Sequence, residues 1–455
     1  ILLFIQGFVY FFSGLGEISF LIVNISAITV IISFLLSLSF RNKTNIKGKN
    51  FSIILFFVLM SWIISFQVPL EIVYGNDALL DPALKLIYDE NIVNGLVAFS
   101  SLMLNVLLLG VTYSYTKYSS FISLSEIENN PYNTPNYPLI FLILICFVLF
   151  FMTVNKDYVD GGHGSVALDS ISASSIGFLA KFSVIYLSIK LFNFRHNNLS
   201  IVKYIYSLNV YYVSFLFLAL MFFFMANNRV YPIMIFTPFI FSMLIYYKKK
   251  IKIVTVLSTF LMLSIFGTLF RIYGFSDFYK SGFYIDDGYI ISKFFFPFTA
   301  ELAGSIYSNT ILYSMWNNSD FSLYGASYLV GIMRAFPGIM GYLNVSPILY
   351  DSAVIATLYS NASYGVGTTA IIDILVNFGV YISLFLFLVL GYFFGKSEMK
   401  VYANNASIYS YIIYLTITIL IFFYPRSSLN DLIGMLLFNV IFFKFYVSIF
   451  GRSKK

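Results

Sequence analysis

Long apolar stretches separated by short polar turns run through nearly the whole chain. About 20 apolar residues are enough to cross a bilayer as a helix. By that measure the pattern predicts helical spans over about residues 1–15, 18–40, 51–70, 93–114, 138–154, 172–193, 204–226, 230–247, 252–270, 368–395, 407–424 and 430–450. In lipid every backbone polar group must be bonded within its own segment, and these runs are too long and too evenly apolar for barrel strands. The expected fold is an all-α polytopic membrane protein, one transmembrane domain over 1–455 with about 12 transmembrane helices. One interval, 271–367, does not follow the pattern. Within it, 293–316 and 323–350 are apolar but broken by Pro297, Gly304, Pro337, Gly338, Gly341 and Pro347. These are expected to be helices that lie in the interface or dip back into the membrane; two further spans, which would split the loop, are the alternative.

Composition supports this class. The chain is 59% hydrophobic and 10% charged, against roughly 25% charge in soluble domains. Charge also orients the spans. Arg41, Lys43, Lys47, Lys49, Lys117, Lys190, Arg195, Lys203, Lys248, Lys249, Lys250, Lys252, Lys396, Lys400, Arg452, Lys454 and Lys455 fall in alternate loops, with only Glu126, Glu128 and Glu398 for acids. The opposite loops hold Lys85, Lys156, Arg229, Arg271, Lys280, Lys293, Arg334 and Arg426 and all the other acids. The positive-inside bias then places both termini in the cytoplasm and 271–367 outside. The net charge of +7 is a topology signal, and no nucleic-acid partner is expected. The single cysteine, Cys146, cannot form an internal disulfide.

Four of the outer basic residues are arginines, and Arg229, Arg271 and Arg426 abut span ends. Such arginines can snorkel to headgroups or pair with outer acids. A guanidinium is also a rigid fork of donors that grips a phosphate in two places, so several of them at one leaflet suit a pyrophosphate headgroup. Candidate bases are Glu301 and Asp373, which are acids in apolar surroundings, and His163 in a glycine-rich loop. His196 falls on the cytoplasmic side, so no outer histidine metal site can be built, and neither a metal-ligand set nor a cofactor motif is present. Lys181 lies inside a span, where it is either functional or paired with a neighbouring helix. The outer loop mixes many tyrosines, Tyr307, Tyr313, Tyr324, Tyr328, Tyr342 and Tyr364 among them, with Asn and Ser. Such rings form either an interfacial belt or a sugar-stacking surface.

The stretch Gly367-Thr368-Thr-Ala-Ile-Ile-Asp373-Ile-Leu-Val-Asn377-Phe-Gly379 is similar to one in the O-antigen polymerases, the Wzy-type oligosaccharide repeat-unit polymerases of bacterial envelopes, although that family often has Glu at the position of Asp373. Asn227-Asn228-Arg229 and Arg426-Ser-Ser-Leu also resemble family positions, as does the spacing of Arg271 from Gly282. The resemblance covers the whole chain as topology and short stretches as motif. It implies a multi-pass protein of the bacterial inner (cytoplasmic) membrane with its active face in the periplasm. That face would transfer a growing glycan from undecaprenyl pyrophosphate to a lipid-linked repeat unit, without metal. Arg229, Arg271, Arg334 and Arg426 would hold the pyrophosphates, and Glu301, Asp373 or His163 would be the base. Asn228, Tyr364, Gly367, Thr368 and Asn377 would contact substrate. Membrane lipids and a chain-length regulator protein are the other partners it leaves room for.

An O-antigen ligase shares this architecture, but ligases usually carry a histidine in the large outer loop, and 271–367 has none. A lipid-linked oligosaccharide flippase is the transporter alternative. It predicts charges lining the middle of the membrane and repeated halves, whereas here the charge is gathered at one face and no internal repeat is visible.

Overall fold

The computed structural model describes residues 2–13, 19–44, 52–75, 90–119, 136–154, 170–194, 201–225, 230–247, 305–318, 321–336, 338–344, 350–360, 367–403, 406–421 and 429–451. Among these residues the secondary structure is helical throughout, with no strand. In chain order the helices are α1 (Leu2–Phe12), α2 (Phe20–Lys43), α3 (Ile53–Val73), α4 (Glu90–Ser119), α5 (Tyr137–Thr153), α6 (Ser170–Phe194), α7 (Ile201–Ser207), α8 (Val210–Met225) and α9 (Val230–Tyr247). The late interval holds α10 (Ile306–Asn317), α11 (Ala326–Met333), the single turn α12 (Ile339–Tyr342) and α13 (Ser352–Ser360); α14 (Ala370–Tyr402), α15 (Ile408–Ile421) and α16 (Asn430–Phe450) close the chain. By length and composition, α2, α3, α4, α6, α14 and α16 each contain a stretch that can cross a membrane. Shorter apolar stretches of 10–17 residues lie in α1, α5, α8, α9 and α15. This is an all-helical membrane protein.

Local sequence sets the helix ends. Ser19 and Ser52 cap α2 and α3, their hydroxyls accepting from the Ile22 and Leu55 amides. Pro138 opens α5, where its missing N–H has no intrahelical partner to lose. The stretch expected as one helix over 204–226 is two. The first ends at Ser207, and Asn209, whose side chain accepts from the Tyr211 amide at 2.9 Å, starts the next. The expected span at 252–270 lies outside the described residues.

Helix α4 is the centre of one half of the bundle, packed by α1, α2, α3, α10 and α14. α6 is the centre of the other, with α5, α9, α15 and α16 around it, and α15 also touches α3 and α14. The α4–α14 pair is backbone-close. A Cβ on Gly391 would stand 2.0 Å from the Leu107 carbonyl oxygen, and one on Gly395 would meet Ser114 Oγ at 1.9 Å. Small residues one turn apart permit this approach where lipid supplies no hydrophobic drive between helices. A polar seam joins α1, α2 and α4. Thr29 donates to Gln6 at 3.0 Å, Ser101 to the Ser26 carbonyl at 2.8 Å, and Ser33 to Asn105. Lys181 is set between two rings, its Nζ 4.8 Å from the Phe178 centroid and 4.6 Å from that of Phe438.

The bundle has two distinct ends. At one, Arg41 and Glu398 form a buried ion pair, Nη2 to Oε1 2.7 Å, and Ser52 and Tyr115 donate to the other carboxylate oxygen at 2.7 and 2.9 Å. Lys117 and Lys396 lie at the same end, against the Tyr392 ring. At the opposite end the Ser19 amide donates to Asn94, Tyr313 of α10 closes over Gly95, and α14 begins. Helices α10, α11 and α13 gather there.

Candidate functional site

The site is built on the first turns of α14. Gly379, at φ 69 and ψ 178, breaks that helix into a short first segment, 370–378, and a long second one. The break frees the Val376 carbonyl, which accepts from the Leu323 amide at 2.8 Å and from Ser322 at 3.3 Å. The loop before α11 is thus bound to the end of the short segment. Asn377 donates to the Asp373 carbonyl and accepts from Ser327 of α11, both at 2.7 Å.

Asp373 is fully buried at the centre of this arrangement. Its Oδ1 accepts from Ser352, the first residue of α13, at 2.7 Å. Its Oδ2 accepts from the Tyr328 hydroxyl at 3.0 Å and from the Leu429 amide, just before α16, at 3.2 Å. One carboxylate therefore joins α11, α13, α14 and α16. The Tyr328 ring also packs on Phe378, centroids 5.0 Å apart.

Arg334 closes α11, half-buried at its C-cap. There α11 crosses α16 at backbone distance, since a Cβ on Gly434 would meet the Gly331 carbonyl oxygen at 2.4 Å and Arg334 Cβ at 3.5 Å. On the other side of the α14 N-terminus, Thr369 donates to Asn309 of α10 at 3.0 Å. The Thr368 and Ser305 hydroxyls are buried and have no hydrogen-bond partner among the described residues. Ser305 is one turn before Asn309, hence on the same face of α10.

No family model, curated protein or solved structure matches the chain.

Of the residues singled out in the sequence, Asp373, Asn377, Gly367, Thr368 and Arg334 share this end of the bundle. Arg229, Asn228, Arg271, Arg426, Glu301, His163 and Tyr364 lie outside the described residues. The loop tyrosines divide. Tyr307 and Tyr313 are core residues, which excludes them as a sugar-stacking surface. Tyr313 shares a hydrogen bond with Tyr10, and burial, with Tyr10 beside it, pushes its hydroxyl well above the usual tyrosine value. Tyr324 and Tyr342 are each 88% exposed. Ser352, Asn309 and Ser327 carried no signal in the sequence, because isolated Ser and Asn in a polar interval look like any loop residue.

Proposed function

We propose that the chain is a membrane glycosyltransferase of the O-antigen polymerase type, acting on lipid-pyrophosphate-linked oligosaccharides at the periplasmic face of a bacterial inner membrane. The observation that carries this reading is the convergence on one end of the bundle of Arg334, the Gly367–Asn377 stretch and the start of α16, with the lysines at the other end. The start of α16 follows Arg426 by four positions in the chain. The fold meant is the twelve-span arrangement with 271–367 as a periplasmic loop and both termini cytoplasmic.

The chemistry is a displacement at an anomeric carbon. A hydroxyl on the terminal sugar of the acceptor, a single lipid-linked repeat unit, attacks the anomeric carbon of the donor glycan. The bond to undecaprenyl pyrophosphate breaks, and the pyrophosphate leaves with the electron pair. Arg229, Arg271, Arg334 and Arg426 bind the pyrophosphates and stabilise the charge that develops on the leaving group. The proton of the attacking hydroxyl goes to a base, for which Glu301, Asp373 and His163 are the candidates. The orphan hydroxyls of Thr368 and Ser305 are donors in want of a polar ligand, and exposed Tyr324 and Tyr342 offer ring faces to sugar.

The test is the lipopolysaccharide ladder of a strain lacking the gene. The expected product is core bearing a single repeat unit, with the ladder restored by the intact gene and not by Arg334→Ala at equal expression. Core without any repeat would assign the protein to ligation or flipping instead, and a normal ladder with Arg334→Ala would remove Arg334 from the pyrophosphate site.

A further inference from the structure

Asp373 has the composition of a general base, an acid in an apolar setting, but not the geometry of one. A base must reach the proton that it removes with a free lone pair. Here the carboxylate is fully buried, and three donors from three different elements already occupy both oxygens. A carboxylate satisfied by hydrogen bonds in this way rigidifies whatever supplies the donors. The donors are the informative part. Tyr328 lies on α11, six positions before Arg334, so fixing its hydroxyl fixes the rotation of the helix that ends in that arginine. The Leu429 amide is that of the N-cap residue of α16, whose own side chain offers the helix no cap bond. Asp373 thus sets an anion against the positive end of that helix, where a carboxylate is favoured, and it holds the start of α16 in place. Ser352 fastens α13 to the same group.

We infer that Asp373 is a positioning residue. Its carboxylate holds α11 and the start of α16 in register and so sets the place of Arg334 in the proposed pyrophosphate site, and it is not the group that takes the acceptor's proton. Neighbouring bonds support this division of labour. Asn377 repeats the link to α11 through Ser327, and the Gly331–Gly434 crossing leaves no slack between α11 and α16. Among the described residues, the charged and titratable groups that adjoin Asp373 are Asp351 and Tyr328.

The inference rests on the pyrophosphate reading above for its consequence, but not for its structural part, and two measurements separate them. The first is amide hydrogen exchange on the full-length protein in lipid nanodiscs. Asp373→Ala removes both oxygens and leaves the Leu429 amide without its acceptor, so exchange at the start of α16 should rise about fivefold, the ratio that a lost helix cap carries. Exchange around Glu398 should stay unchanged. Unchanged exchange at Leu429 would overturn the inference whatever the protein's activity. The second is kinetic, with a synthetic polyprenyl-pyrophosphate-linked repeat unit as the probe. Asp373→Ala should raise KM about tenfold and alter kcat less than threefold, whereas loss of a base costs roughly a hundredfold or more in turnover. A hundredfold fall in kcat at constant KM would make Asp373 the base. Should Asp373→Ala fail to fold, Tyr328→Phe removes one donor and keeps the carboxylate. It should raise KM in the same sense, and an unchanged KM would overturn the role. If the intact protein turns over no probe while the exchange result holds, the polymerase reading fails and the positioning role of Asp373 stands.

Discussion

Asp373 was legible as unusual from the sequence alone, since an acid among Ile and Leu needs a reason; its partners were not. Tyr328, Ser352 and Leu429 are 45, 21 and 56 positions away, and nothing in local pattern or spacing connects them. The same holds more strongly for Arg41 and Glu398, 357 positions apart. In the sequence each is a charge near the end of an apolar run, so each is read as a loop charge on the basic side. The structure buries them against each other, with Ser52 and Tyr115 completing the carboxylate's bonds. Removing one partner of such a pair leaves an uncompensated buried charge, at a cost of about 3–5 kcal/mol. Glu398→Ala should therefore lower resistance to thermal or denaturant unfolding by that order, followed by circular dichroism in detergent. Arg41→Ala combined with Glu398→Ala should cost less than Glu398→Ala alone, because the stranded guanidinium is gone. Equal losses in the single and double variants would show that the pair contributes through packing rather than charge.

At the scale of elements, apolar length locates the helices and polar turns locate their ends. α3, α5, α9 and α16 fall within a few residues of where the pattern puts them. What the pattern cannot supply is backbone direction inside an apolar run. Residues 368–395 read as one span, and nothing in their hydropathy marks Gly379 as the point where the helix breaks. The same limit hides the burial of α10. Its polar residues Ser308, Asn309 and Thr310 look like a solvated or interfacial face, yet they lie in the core and bond to the helix itself or to Thr369. Gly379 has φ 69 and ψ 178, a region open essentially to glycine alone, and no atom within 4 Å would touch an added Cβ. Gly379→Ala is thus a clean backbone test, with an expected cost of about 1–3 kcal/mol. Relaxation into a continuous helix would withdraw the Val376 carbonyl from Leu323 and Ser322. The amide of Leu323 should then exchange faster, while amides of α4 keep their protection. A variant as stable as the parent, with Leu323 still protected, would mean that side chains around Asn377, not the glycine, impose the break.

For the whole molecule the question is which end faces which side. Beyond the break at Gly379, α14 runs on to Tyr402, about 35 Å of helix at 1.5 Å per residue, against a hydrocarbon core of about 30 Å. Its two ends therefore emerge on opposite sides if it crosses at all. The end with Lys117, Lys396 and Lys400 carries the basic excess, and the Asp373 end carries α10 to α13. In the proposed arrangement the positive-inside bias would put the lysines in the cytoplasm and the Asp373 end in the periplasm. Cys146, the single cysteine, is buried, so its replacement by alanine gives a background for single introduced thiols. Tyr324→Cys and Tyr342→Cys, at positions that are each 88% exposed, should react with a membrane-impermeant maleimide added to cells whose outer membrane alone is permeabilised. Lys117→Cys, at the opposite end, should react only once the inner membrane is opened. Reversed labelling would turn the arginines towards the cytoplasm and away from any periplasmic lipid pyrophosphate, which would end the polymerase reading. Labelling of all three from the periplasm would mean that α4 does not cross, and would replace the polytopic arrangement itself.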